Sequence, residues 1–445
     1  MRVLLINPPF NRLMGLEQDY IHIGLGYLAG YLDKFTDCYA KVYNAEIGDG
    51  LSFKNNTERL NLYANFLQLL ESENKVWDEI KTVIQKEDPD VIGINLITVK
   101  LRAALRIRDI AKELNPNVKI VVGGQYASTF ANNLKNKCTF DFIVKGEGEK
   151  ALAHLIKNIH TSPKIIKKGR VETLDELPFP ARDLMFPRHS PNGYAHMITS
   201  RGCPYNCIFC DSKSVWGNNI RYRTVGNVID EMKLVKNRYN PTEFTIWDEV
   251  FTYNGKRTID FCKQFRASGI DATWKCDTRV DLLDEKLIIA MKKANCGGIT
   301  VGVESGSNTV LEYIKKGFTI NRIRQTARLL NKHQMKWKAN FIMGLPNETE
   351  EDIKNSVRLM QELKPTRVTL SIATPYGGTQ LFEDLLADNI INENFNPAFY
   401  SHQSNLNYFN KFIPATKYSG LMDKFSKKVD EYNDERGGFK VWVER

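Results

Sequence analysis

Residues Arg201 to Cys210 read RGCPYNCIFC, and three cysteines, Cys203, Cys207 and Cys210, fall there in a C-x3-C-x2-C pattern. A structural zinc site takes four nitrogen or sulfur ligands, usually built from C-x2-C pairs, and a disulfide framework needs an even number of cysteines. Three is short of both. Thiolates are also the standard protein ligands of iron–sulfur clusters, and a cubane 4Fe-4S cluster has four irons to fill. Three thiolates leave one iron free to bind a substrate or cofactor directly. A zinc site completed by His196 or a distant residue, and an incidental solvent-facing loop, are the competing readings. Cys38, Cys138, Cys262, Cys276 and Cys296 show no paired spacing and read as small buried hydrophobes kept reduced.

Such a loop needs a scaffold, and the surrounding chain repeats strand then helix six times. Short apolar runs predict strands at Ala195–Thr199, Glu243–Trp247, Ala272–Lys275, Gly298–Val303, Lys338–Met343 and Arg367–Ile372. Helical periodicity fills the gaps at Val225–Asn237, Lys256–Ala267, Asp284–Ala294, Asn308–Lys316, Ile320–Lys332 and Glu350–Leu363, the last with a capping-box pair in Thr349 and Asp352. This rhythm implies a partial (β/α)6 barrel over 191–385, with chemistry at the carboxyl ends of its strands. The cysteine loop follows the first of them.

The first half has its own α/β rhythm. Val3–Ile6, Lys41–Asn44, Val91–Ile94, Lys119–Val122 and Phe142–Val144 read as buried strands, and Leu101–Leu114 as a helix stopped by Asn115-Pro116. A doubly wound parallel sheet over 1–170 follows, with ligands expected beyond the carboxyl ends of its strands. The proline-rich stretch LDELPFPARDLMFP places a linker at 171–190. Beyond 385 the rhythm stops; 386–445 reads as an extension on the substrate side, with one helix at Tyr418–Tyr432 and with Tyr376, Tyr400, Tyr408 and Phe409 as candidate contacts or core.

The 445 residues are 42% hydrophobic and 26% charged, values of a globular chain. No run approaches the ~18 apolar residues of a membrane span. MRVLLINPPFN carries no cleavable leader pattern, so a cytoplasmic protein is expected. The formal charge of +10 is spread along the chain rather than gathered in a patch, which argues against a nucleic-acid partner.

The motif C-x3-C-x-aromatic-C, here Cys203, Cys207, Phe209 and Cys210, resembles that of radical S-adenosylmethionine (SAM) enzymes. In that family the three cysteines hold the cluster, the open iron chelates SAM, and electron transfer cleaves SAM to a 5′-deoxyadenosyl radical. The resemblance implies SAM contacts from Phe209 in the cysteine loop, Asp248 and Glu249 after the second strand, Arg279 in TRVD, Glu304 and Ser305 in GVESGS, and Met343 in NFIMGLP, beside Glu348. The first half, with NPPF, GLGYLAGYL, GGQYAS and DFIVKGEGEKAL, resembles the cobalamin-binding branch of the same family, and the likeness spans roughly residues 1 to 385. It implies cobalamin contacts from Asn7, Pro8, Leu96, Thr98, Gly123, Gly124, Gln125, Gly146 and Glu147.

Two departures matter. The family's SxL element is Ile94-Asn95-Leu96 here, without the serine hydroxyl, and the D-x-H-x-x-G element that gives a histidine to cobalt is absent, His22 having the wrong context. Cobalt without a protein histidine is expected. The resemblance implies a methyltransferase that passes a methyl group from methylcobalamin to an unactivated carbon. Rearrangement, ring contraction or cyclisation without methyl transfer, and a non-catalytic corrinoid or cluster carrier, are the alternatives. The expected partners are a small-molecule, lipid or peptide substrate and an external electron donor such as flavodoxin or ferredoxin.

Overall fold

The computed structural model describes residues 1–437 except 17, 49–54, 71, 138 and 393, so Cys138 lies outside the described residues. Seven parallel strands form the first sheet: β1 (Arg2–Asn7), β2 (Tyr39–Asn44), β3 (Val91–Asn95), β4 (Lys119–Gly123), β5 (Phe142–Val144), β6 (Ile165–Ile166) and β7 (Met185–Phe186). Their order is β6-β5-β4-β3-β1-β2-β7. The strand period of two sends Leu4, Ile6, Ile92, Ile94, Ile120 and Val122 to one core, and Val3, Leu5, Val91 and Val121 to the other. Both faces are therefore buried, as near-continuous apolar strands require. The chain leaves β1 for β2 on one side and returns to β3 on the other. That reversal opens a crevice at the carboxyl ends of β1 and β3.

Three helices that sequence reading left unassigned, Ile23–Phe35, Asn56–Leu69 and Lys75–Glu87, help cover this sheet. Each starts on a side-chain cap: His22, Asn55 and Asn74 accept from the N–H groups of Leu25, Glu58 and Val76. The expected linker is only partly a strap. Its Met185–Phe186 segment pairs with β2 and becomes an edge of the first sheet.

The second sheet begins at β8 (His196–Met197). The expected strand Ala195–Thr199 stops there, because Thr199 turns to bond Asp248, and the chain enters an antiparallel pair, β9 (Ser200–Arg201) with β10 (Arg221–Tyr222). Then come β11 (Glu243–Ile246), β12 (Thr273–Thr278), β13 (Cys296–Glu304), β14 (Trp337–Met343) and β15 (Arg367–Ile372). These five and β8 are parallel, in the order β15-β14-β13-β12-β11-β8, and the two end strands do not pair: the barrel is open.

Helices Ile320–Lys332 and Glu350–Leu363 have the expected bounds, and the Thr349–Asp352 capping box is formed. Helix Ala415–Asp434 buries Tyr418, Met422, Phe425 and Val429 against the barrel. Its Asn433 side chain bonds the Val368 N–H and C=O at 2.9 Å each, satisfying backbone groups that edge strand β15 would otherwise expose. Cys38, Cys262, Cys276 and Cys296 are free and buried. Among the described residues, no helix is long and apolar enough to cross a membrane.

Candidate functional site

The cysteine loop spans 202–220 and is held at its stems and its middle. At the first stem, the Asp248 carboxylate accepts from Thr199 N–H at 2.6 Å, Thr199 Oγ1 at 2.5 Å and Ser200 Oγ at 2.6 Å. At the middle, Ile208 is buried, donates its N–H to Ile314 O and accepts from Leu381 N–H. A turn closes between Cys207 O and Cys210 N at 3.2 Å. All three cysteines are half-buried. Burial pushes the Cys203 thiol up to about 11, the charges of Cys210 and Cys207 adding to the effect, so the three sulfurs are electrostatic neighbours. Burial also raises Cys210. A metal centre deprotonates a coordinating thiol outright, and this trio suits a group that brings its own positive charge. Arg279 Nη1 lies 3.9 Å from Cys207 Sγ. His196 Nδ1 meets the Trp247 indole N–H, and its ring stacks on Tyr20. Among the described residues, no three His, Cys, Asp or Glu side chains surround a point that one metal ion could occupy.

The residues expected around SAM differ in how free they are. Asp248 holds the loop stem through three hydrogen bonds. Glu249, next to it, is half-buried, and burial raises its carboxyl to about 7. Arg279 forms an ion pair with Asp281 (3.0 Å), lies 3.6 Å over the Tyr205 ring and bonds Lys316 O. Glu304 sits at φ +66°, where β13 slips register against β14, and its carboxylate holds Lys316 Nζ at 2.9 Å. A left-handed non-glycine residue costs about 1 kcal/mol or more, and such strain gathers at ligand sites. Ser305 is fully buried and accepts from Ser307 N–H. Met343 is fully buried in the barrel core, on the same strand face as Phe341, while Phe209 packs partly buried against that core.

Two cavities open at the crevice of the first sheet. The smaller, about 280 Å³, lies among Leu5, Gly93, Gly124, Gly148 and Leu152. A Cβ on Gly93 would come within 2.7 Å of Leu5, and Gly124, at φ +114°, has Asn95 Oδ1 only 2.9 Å from where its Cβ would be. Glycine at these two positions is what leaves room. The larger, about 550 Å³, lies between the two sheets and takes its walls from Asn7, Lys100, Asp211, Trp247, Tyr376 and Gln403, among others. Of the expected cobalamin contacts, Gly123, Gly124, Gly146 and Glu147 line the smaller cavity, Asn7 and Thr98 the larger, and Gln125 both. Leu96 and Pro8 are buried but line neither.

Gln125 Nε2 is a buried donor without a partner where the cavities meet, and Asn11 Oδ1 and Gln403 Oε1 are buried acceptors without one on the larger cavity. Orphaned polar atoms of both kinds suit a ligand edged with amides, as cobalamin is. His22 lines both cavities, yet its Nδ1 accepts from Leu25 N–H and its Nε2 meets the Asn95 amide at 2.9 Å; burial holds its pKa at about 3. Both ring nitrogens are engaged. Sequence reading missed Lys100 and Glu46, a buried pair at 2.8 Å whose ammonium also donates to Asn7 Oδ1. Charged residues are normally at the surface, and nothing in their spacing marks these two.

Comparison with known proteins assigns the two halves. Residues 15–156 match the B12 binding domain and residues 197–360 the Radical SAM superfamily. The chain is an enzyme that joins a cobalamin domain to a radical SAM domain. It thus carries both domains of a cobalamin-dependent radical SAM enzyme, and these imply a 4Fe-4S cluster, SAM and cobalamin as its cofactors.

It is 29% identical over 416 residues to an uncharacterized methyltransferase of Pyrococcus horikoshii, covering 88% of this chain and 84% of that one. It is 27% identical over 336 residues to the anaerobic magnesium-protoporphyrin IX monomethyl ester cyclase of Rubrivivax gelatinosus, covering 69% of this chain and 60% of that one. Its fold is that of the radical SAM methyltransferase TsrM of Kitasatospora setae, solved with tryptophan substrate and a SAM analogue. The TM-score is 0.71 at 16% identity, covering 98% of this chain and 90% of that one.

Proposed function

We propose that this enzyme methylates an unactivated carbon. The observation that carries the reading is one cavity walled from both sides: Asn7, Lys100 and Gln125 come from the cobalamin half, and Asp211, next to Cys210, and Trp247 come from the radical SAM half. A substrate held there meets both cofactor platforms, which is the geometry that hydrogen abstraction followed by methyl transfer requires. Bound, the cluster and SAM supply a hydrogen-abstracting radical, and cobalamin supplies a methyl group drawn from a second SAM.

The chain's own residues bind and orient. Cys203, Cys207 and Cys210 would ligate the cluster; Glu249 would hold the amino group of SAM and Glu304 and Ser305 its ribose and carboxylate side, with Arg279 offered to a carboxylate; Gly123, Gly124 and Gln125 would receive cobalamin. The methyltransferase relative and the methyltransferase fold support this reading. An external electron donor, a cytoplasmic setting and a small-molecule, lipid or peptide substrate belong to it. Anaerobic reconstitution with iron, sulfide and hydroxocobalamin, followed by SAM and a reductant, tests it. Both 5′-deoxyadenosine and S-adenosylhomocysteine should form. The cyclase relatives favour a second reading, radical cyclisation without methyl transfer, which predicts deoxyadenosine without S-adenosylhomocysteine.

A further inference from the structure

The cysteine loop is also a wall of the smaller cavity. Arg201 at its stem and Val215 and Trp216 near its end line that space together with Leu28, Gly148 and Leu152. Both stems converge on one carboxylate of the cobalamin half. Arg201 and Arg221, paired across β9 and β10, both bind Glu147, Arg201 Nη1 at 3.0 Å, and Glu149 takes Arg201 Nη2 at 2.6 Å. All four side chains are buried, Arg201 and Glu147 at 2% exposure each. The Arg201 guanidinium lies over the rings of Trp216, 4.7 Å away, and Tyr27, 5.1 Å away on the helix Ile23–Phe35. A guanidinium held by two carboxylates and two rings has little freedom left.

We infer that Glu147 and Glu149 are positioning residues that couple the two cofactor sites, so that cluster ligation tightens cobalamin binding and cobalamin tightens the cluster. The inference rests on the smaller cavity holding part of cobalamin. Glu147, expected as a cobalamin contact, lines the smaller cavity and also holds both stems of the loop. Ligation of Cys203, Cys207 and Cys210 orders the segment that continues into Trp216. The cavity wall is then already in place when cobalamin arrives, and binding no longer carries the cost of selecting that arrangement. Linkage makes the effect reciprocal.

The test is a hydroxocobalamin titration of the full chain, read by visible absorbance, with the oxidised cluster present and after iron removal by chelation. Between about 5- and 150-fold tighter binding is expected with the cluster in place, the usual span of such coupling. Bound hydroxocobalamin should slow iron release to the chelator. In Glu147→Gln the affinity ratio should fall towards one. A residue that merely held the halves together would weaken both affinities and leave their ratio unchanged. Should Glu147→Gln fail to fold, Glu149→Gln and Trp216→Ala are expected to lower the same ratio. Equal affinity in both states of the unmodified protein overturns the coupling while keeping cobalamin in its cavity. Binding in neither state overturns both.

Discussion

Asp248 and Thr199 are joined twice, through the Thr199 N–H at 2.6 Å and the Thr199 hydroxyl at 2.5 Å, with the Ser200 hydroxyl adding a third bond to the same carboxylate. A strand-end acid expected near SAM from the family resemblance therefore fixes the start of the cysteine loop. Replacing it leaves buried donors without an acceptor. Asp248→Ala should cost about 2–4 kcal/mol and lower the iron bound per chain after reconstitution, as urea midpoints and iron analysis would show. Unchanged iron content would separate Asp248 from the cluster.

Glu249 should make SAM binding depend on pH. Burial raises its carboxyl from 4.5 to about 7, so the folded protein keeps a proton in that interval that the unfolded chain has lost. Its contribution to stability accordingly declines as pH rises through that window and is level above it. If the carboxylate receives the SAM amino group, SAM affinity should rise about fivefold between pH 6 and 7. Equilibrium dialysis with Glu249→Gln should show that slope removed.

Glu304 and Lys316 form a buried pair, at 8% and 6% side-chain exposure. Removing one partner strands the other charge, so Glu304→Ala should cost about 3–5 kcal/mol. Lys316→Met in that background should recover part of the loss, and a double-mutant cycle by chemical denaturation measures the coupling.

The small cavity depends on missing side chains. Gly93→Val should fill space beside Leu5 and weaken hydroxocobalamin binding by at least tenfold, while SAM binding by the cluster-loaded protein stays within about twofold, since the change lies in the other half. Gly124→Ala, forced to φ +114° against Asn95, should reduce both stability and cobalamin affinity.

Much of this was legible in the chain itself, for physical reasons. Strand and helix periods located both sheets, and helix Leu101–Leu114 has the expected bounds because its apolar stripe and its Asn-Pro stop agree. The three cysteines stood out because thiols are scarce and clustered. What stayed hidden is set by tertiary partners. Nothing local says that Asp248 would turn towards Thr199, that Glu304 would meet Lys316, or that Glu147 would gather two arginines from the other half of the chain. Helix Ile23–Phe35 was missed because its buried surroundings favour apolar residues on most of its circumference and its cap is a histidine. Met185–Phe186 looked like linker because two residues pairing at a sheet edge leave no period to read.

The most direct test of the central claim is Mössbauer spectroscopy of protein reconstituted with ⁵⁷Fe, before and after SAM is added. The account predicts a 4Fe-4S cluster in which one iron site changes on SAM binding while the three held by Cys203, Cys207 and Cys210 do not. Four irons indifferent to SAM, or zinc at the three thiols in place of iron, would contradict it.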